Sequence, residues 1–135
     1  GATGLGKAHL SLAIANVVVE KGFEVIYGSA QNLLSSLERE KFGGGSGERE
    51  KELLDCDLLI IDDLGSEFST QFTVACIYNI INTRINLGKP VIISTNLTGE
   101  ELEAKYTQRI TSRIIGSYVS LLFIGKDIRQ LKKFY

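Results

Sequence analysis

Apolar residues along this chain fall into helix-spaced sets and short continuous runs, and the two alternate. Leu10, Ala13, Ile14, Val17 and Val18 recur at helical spacing, which predicts a helix from about Lys7 to Lys21 that Gly22 stops. Glu24-Val25-Ile26-Tyr27-Gly28 is too short for a helix and reads as a strand. Leu33, Leu34, Leu37 and Phe42 mark an amphipathic helix that ends at a glycine cluster, and Glu48 to Leu54 reads as a short polar helix. Leu58-Leu59-Ile60-Ile61 is continuously apolar, as a strand buried on both faces would be. Thr70 then caps a long helix to about Leu87, with Val74, Ile77, Tyr78, Ile81 and Ile85 on one face. Gly88 ends it, and Pro90 opens the strand Val91 to Thr95. Thr98 and Glu101 form a capping box, a further helix spans about Gln108 to Ile115, and Val119 to Ile124 is a last strand. Strands alternating with helices predict an α/β fold with a parallel sheet.

Composition narrows the picture. The 135 residues are 44% hydrophobic and 23% charged, which suits one globular domain and excludes disordered and collagen-like chains. No apolar run approaches the ~18 residues of a membrane span, and no secretory signal opens the chain. Lys and Arg number 15 against 16 Asp and Glu, so any pull on nucleic acid must come from a local patch. Cys56 and Cys76 have no CxxC or CxxH around them, which argues against a disulfide framework or zinc site and for a reducing, cytoplasmic setting. The chain contains no Met, so it does not read as a whole natural open reading frame, and Gly43-Gly44-Gly45-Ser46-Gly47 reads as a flexible loop, natural or shortened, or as an engineered splice.

The strongest chemistry lies at the start. Gly1-Ala2-Thr3-Gly4-Leu5-Gly6-Lys7 followed by a helix fits a phosphate-binding loop. Glycines let backbone N–H groups wrap a phosphate, and the helix N-terminus adds about half a positive charge. Lys7 adds a full charge for the β- and γ-phosphates. The candidate nucleotide-binding set is Gly1, Thr3, Gly4, Leu5, Gly6, Lys7, Ala8 and His9. Ala8 stands where this pattern carries Ser or Thr, whose hydroxyl ligates Mg²⁺. Nucleotide binding is expected to survive that change, with metal-dependent hydrolysis impaired. His9 and Ser11 point elsewhere around the helix, and His9 reads as a surface or packing residue rather than a catalyst.

A second cluster ends the continuously apolar strand, where Asp62 and Asp63 follow Ile61. Ligands of open α/β sheets bind at that edge. The segment resembles a Walker B motif, with Asp62 expected to hold Mg²⁺ and Asp63 to polarise the attacking water.

These motifs, with KPVIISTNLT, QRITSRIIG and GKDIRQLKK in the same order, resemble the AAA+ ATPase domain of DnaC/DnaI-type helicase loaders and IstB-type transposition ATPases. DDLGSEFST and GKDIR bring the chain nearer the loader branch. The resemblance implies a three-layer P-loop fold with a mostly parallel sheet, ATP or ADP with Mg²⁺ as cofactors, and ATPase activity weakened by Ala8. It implies that Asn96 is the sensor 1 residue that orients the lytic water, and that Arg129 is the sensor 2 residue. It also implies that Arg113 is an arginine finger supported by Arg109, acting on a neighbouring subunit. The implied partners are a replicative DNA helicase, single-stranded DNA and further copies of the chain, with no membrane. Arg39, Lys41, Arg49 and Lys51 could meet DNA phosphates, but five interleaved glutamates make the segment read as a solvated charged face. An IstB-type transposition helper and a non-hydrolysing nucleotide-binding scaffold are the other readings.

The resemblance further implies the strand order 5-1-4-3-2, with the first strand leading into the phosphate loop. Gly1 starts after that strand, so residues 1–135 read as one AAA+ domain cut just before the loop. Four strands with a gap beside the third are therefore expected, and a weakened domain.

Overall fold

The computed structural model describes residues 12–115 and 120–123. Helix α1 covers residues 12–20, and Gly22 follows it with a positive φ of 89°. Then come β1 (Val25–Ser29), α2 (Ala30–Phe42), α3 (Glu48–Asp55), β2 (Leu58–Leu64), α4 (Gln71–Asn86), β3 (Val91–Thr95), α5 (Gly99–Ile115) and β4 (Ser120–Phe123). The helix ends follow their capping residues. Ser29 Oγ accepts the Asn32 N–H at 3.1 Å, Thr70 and Thr73 cap each other, and Thr98 and Glu101 exchange bonds of 2.9 and 3.1 Å.

The sheet order is β1-β2-β3-β4, every pair parallel. Strand alternation divides the molecule into three layers. Leu59, Ile61, Val91 and Ile93 face a large core with the apolar stripes of α2, α3, α4 and α5. Leu58, Ile60 and Ile92 face the opposite way, against Ala15, Ile14 and Val18 of α1. Burial on both faces is why β2 opens with four apolar residues and β3 with three.

One expectation holds and one changes. The helices expected at Thr98 and at Gln108 are both present, running end to end as α5 with a break between them at Thr107, φ 84° and ψ 156°. The gap expected beside the third strand is closed: β3 pairs directly with β4, Ile92 opposite Ser120 through Thr95 opposite Phe123. An open inner edge would leave a row of backbone donors and acceptors unpaired, and β4 satisfies them.

Candidate functional site

The candidate site is built at the C-terminal ends of β2 and β3. The two strands run in register from Leu59 opposite Val91 to Ile61 opposite Ile93, then resume at Leu64 opposite Thr95. Asp62 and Asp63 therefore stand against the single residue Ser94, a β-bulge. Asp63 takes a left-handed φ of 55°, which a non-glycine residue adopts at a cost and which such sites use to aim a side chain.

Side chains of β3 hold the bulge. Ser94 Oγ donates to Asp62 Oδ1 at 2.6 Å and accepts the Asp63 N–H at 3.1 Å. Thr95 Oγ1 donates to the Leu64 carbonyl at 2.6 Å. Asn96 Nδ2 donates to Asp63 Oδ1 at 3.3 Å. From β1, the Tyr27 hydroxyl lies 3.5 Å from Asp62 Oδ2. Burial, and then the Asp62 charge, push the Tyr27 hydroxyl above its ordinary pKa, so it remains a donor. Asp62, Ser94 and Tyr27 sit together on the sheet face that carries α1, the helix into which the phosphate loop leads.

The bulge is tied to α5 as well. Gly65 has φ 108°, and a Cβ there would come within 2.5 Å of the Leu97 side chain, so only glycine fits. Its N–H donates to the buried Glu67 carboxylate at 2.9 Å. Tyr106 donates to the same carboxylate, and Lys105 Nζ donates to the Gly65 and Glu67 carbonyls at 2.6 and 2.7 Å. Burial and the Glu67 contact raise the Tyr106 pKa strongly, so its proton stays in place.

Asp62, Asp63 and Asn96 are thus brought together, whereas Arg109 and Arg113 are not. Arg109 lies over the Tyr78 ring at 4.7 Å, and Arg113 donates to Asn86 Oδ1 at 2.8 Å. Both contacts are with α4, and Asn86 lies at the end of that helix nearest the start of β3. The two arginines therefore line the α4 side of α5, with Arg113 toward the opposite sheet edge from Asp62 and Asp63. Gly1, Thr3, Gly4, Leu5, Gly6, Lys7, Ala8, His9 and Arg129 lie outside the described residues.

Of the basic residues of α2 and α3, the Arg49 side chain pairs with Glu52 at 3.2 Å and Lys41 lies over the Phe72 ring at 5.2 Å.

Among the described residues no cluster of three or more His, Cys, Asp or Glu could hold a metal. Two carboxylates alone cannot cage an ion. They do suit Mg²⁺, which takes one or two carboxylates and fills its shell with waters and phosphate oxygens.

The parallel sheet with helices on both faces has the fold of P-loop AAA+ domains, as the solved structures it resembles show. The chain belongs to the IstB-like ATP-binding protein family, whose pattern matches residues 1–119. Among curated relatives, it is 31% identical to the uncharacterized protein YdaV of Escherichia coli over 84% of the chain and 46% of that protein. It is 26% identical to the replicative helicase loader DnaC of E. coli over 91% of the chain and 51% of DnaC. It is 25% identical to a putative ATP-binding protein in an insertion sequence of Mycobacterium tuberculosis, over 98% of the chain and 55% of that protein. The chain spans about half the length of these relatives.

Among solved structures, the DnaC helicase loader superposes with a TM-score of 0.77 at 27% identity, over 88% of this chain and 72% of that one. AMPPCP-bound DnaA from Aquifex aeolicus gives 0.78 at 27% identity, over 88% and 37%. No helix among the described residues is long and apolar enough to cross a membrane.

Proposed function

We propose that this chain is the ATP-binding AAA+ domain of a DNA-replication helicase loader, coupling ATP binding and hydrolysis to placement of a replicative helicase on single-stranded DNA. The observation that carries the ATPase part is the meeting of Asp63 with Asn96 beside Asp62, at the edge where open α/β sheets bind ligands. The relation to DnaC, with the DDLGSEFST and GKDIR segments, supports the loader part.

In this reading ATP lies between the loop of Gly1, Thr3, Gly4, Leu5 and Gly6 and the Asp62–Asp63 strand end. By the family resemblance Lys7 would meet the β- and γ-phosphates, and His9 and Arg129 belong to the same nucleotide-binding set. Asp62 would hold the Mg²⁺ that accompanies ATP, which would supply neutralisation of phosphate charge, while Asp63 would polarise the attacking water and Asn96 would orient it. Arg113, supported by Arg109, reaches the nucleotide of a neighbouring copy and makes assembly depend on ATP. The setting is the cytoplasm.

Titration of a fluorescent ATP analogue with and without Mg²⁺ tests this, comparing the chain with Ala8→Thr. The expected result is binding by both, with Mg²⁺ tightening only the Ala8→Thr form and raising its hydrolysis. Unchanged hydrolysis in Ala8→Thr would show that the metal argument is wrong. Binding by neither form would overturn the ATPase reading and leave the scaffold reading in its place.

The insertion-sequence relative supports a second reading, a helper ATPase for a transposase. Co-sedimentation with a replicative helicase in the presence of ATP favours the loader. Co-sedimentation with a transposase alone favours the helper.

A further inference from the structure

The geometry points to Ser94 as the positioning residue for both carboxylates of the site. This rests on the ATPase reading above and adds to it a residue that phosphate-loop and acidic-strand motifs do not mark.

At the bulge the ladder toward β3 is broken at Asp62 and Asp63, because two residues face one, although Asp62 still pairs with Ser29 of β1. The Ser94 side chain takes over. A hydroxyl has one proton and two acceptor lone pairs. An ionised carboxylate can only accept, so the Ser94 proton goes to Asp62 Oδ1, at a distance typical of a charge-assisted bond. The lone pairs are then left for the Asp63 N–H. One hydroxyl therefore holds one oxygen of the Asp62 carboxylate, beside Tyr27 at the other, and also holds the left-handed turn that aims Asp63 at Asn96.

Burial protects this arrangement from water. Ser94 is 0% exposed, so water is poorly placed to replace its hydroxyl. Thr95 and Asn96 hold Leu64 and Asp63 in turn, so Ser94-Thr95-Asn96 fastens Asp62-Asp63-Leu64 with a side-chain bond at each step.

The test compares the full chain with Ser94→Ala and Ser94→Thr, each also carrying Ala8→Thr so that the metal response is large enough to read. The readout is the ratio of fluorescent ATP analogue affinity in Mg²⁺ to that in EDTA. Ser94→Ala is expected to lower the ratio about 10-fold to 100-fold while affinity in EDTA stays within about twofold. Ser94→Thr keeps the hydroxyl and restores the ratio. In the nucleotide-free chain, amide exchange at Asp63 is expected to quicken in Ser94→Ala and to return in Ser94→Thr.

An unchanged ratio in Ser94→Ala, with Asp63 exchange unchanged, would overturn the inference and leave the ATPase reading standing. Equal losses in Mg²⁺ and EDTA would reduce Ser94 to a general structural role and overturn it too. Absence of nucleotide binding, or of any Mg²⁺ response, in the Ala8→Thr parent would overturn the ATPase or metal reading, and this inference with it.

Discussion

Asp63 is the residue on which the site turns. Its backbone is held in a conformation that costs of order 1–3 kcal/mol for a residue with a side chain. A polar turn at a strand end would not need that cost. Here Asp63 is over-determined by Ser94 at its N–H and Asn96 at its carboxylate, and its carbonyl accepts the Ser66 hydroxyl at 2.9 Å. Asn96 is exposed, so its bond to Asp63 contributes little to folding and is open to a ligand. Asn96→Ala is therefore expected to leave thermal stability nearly unchanged and nucleotide affinity within about threefold, while lowering kcat about 10-fold to 100-fold. Steady-state ATPase kinetics beside a binding titration would check this. An equal loss of affinity and turnover would place Asn96 in nucleotide binding instead.

Asp62 and Asp63 were legible as candidates because polar residues end a continuously apolar strand, whereas Asn96 was named only through the family resemblance. Ser94 was less visible. Serine and threonine are ordinary at strand ends, and only the bulge shows which residues Ser94 faces.

At the level of elements, much of the order comes from polar groups that periodicity does not reveal. Arg84 lies within the apolar pattern of α4 and is 0% exposed. Its guanidinium reaches the carbonyls of Leu53, Leu54 and Cys56 at 2.8 to 3.2 Å and that of Pro90 at 2.9 Å. It thereby joins the end of α3, the approach to β2 and the entry to β3. The α3 carbonyls have no partner within their own helix, and a cation at that end also suits the helix dipole. Burial lowers the Arg84 pKa without removing its charge at neutral pH, and burial pushes the adjacent Cys56 thiol up.

Arg84→Met keeps much of the volume and strips these donors. It is expected to cost about 2–4 kcal/mol, read as a lower urea midpoint with an unchanged m-value. Arg84→Lys, with a point donor instead of a planar fork, is expected to recover only part. Full stability in Arg84→Met would show that water can serve those carbonyls. The break in α5 has a similar origin. Tyr106 and Lys105 are drawn to Glu67 and the Gly65 carbonyl, and the chain turns at Thr107 before Arg109 and Arg113 resume the helix.

Across the whole molecule, the sheet separates two sets of functional residues. Asp62 and Asp63 lie at one end of the strands. Arg113 lies against Asn86, near the start of β3 at the other end. In the proposed function Arg113 acts on the nucleotide of a neighbouring copy. Arg113→Ala is expected to leave analogue binding within about twofold while lowering ATPase rate at least about 100-fold. Mixing Arg113→Ala with Asp63→Asn subunits is expected to restore part of the activity. One subunit then supplies the arginine and the other the carboxylate. No recovery in the mixture, with assembly intact, would place Arg113 outside the reaction.

By itself the sequence determined the alternation of helices and strands, the burial of β2 and β3, most helix ends and the acidic strand end of the candidate site. Each is a local matter. Hydrophobic period selects helix or strand, caps and glycines end helices, and a short polar segment at a strand end stands out against its neighbours. What depends on register and contact across the sheet was decided only in tertiary structure. The direct pairing of β3 with β4 follows from satisfying an edge that the strand pattern leaves open. The bulge that sets Ser94 against two aspartates follows from how β2 and β3 slide past each other after Ile61 and Ile93. The buried Glu67, Arg84 and Tyr106 find partners about 30 to 40 residues away in the chain, a distance at which sequence pattern carries no geometric information.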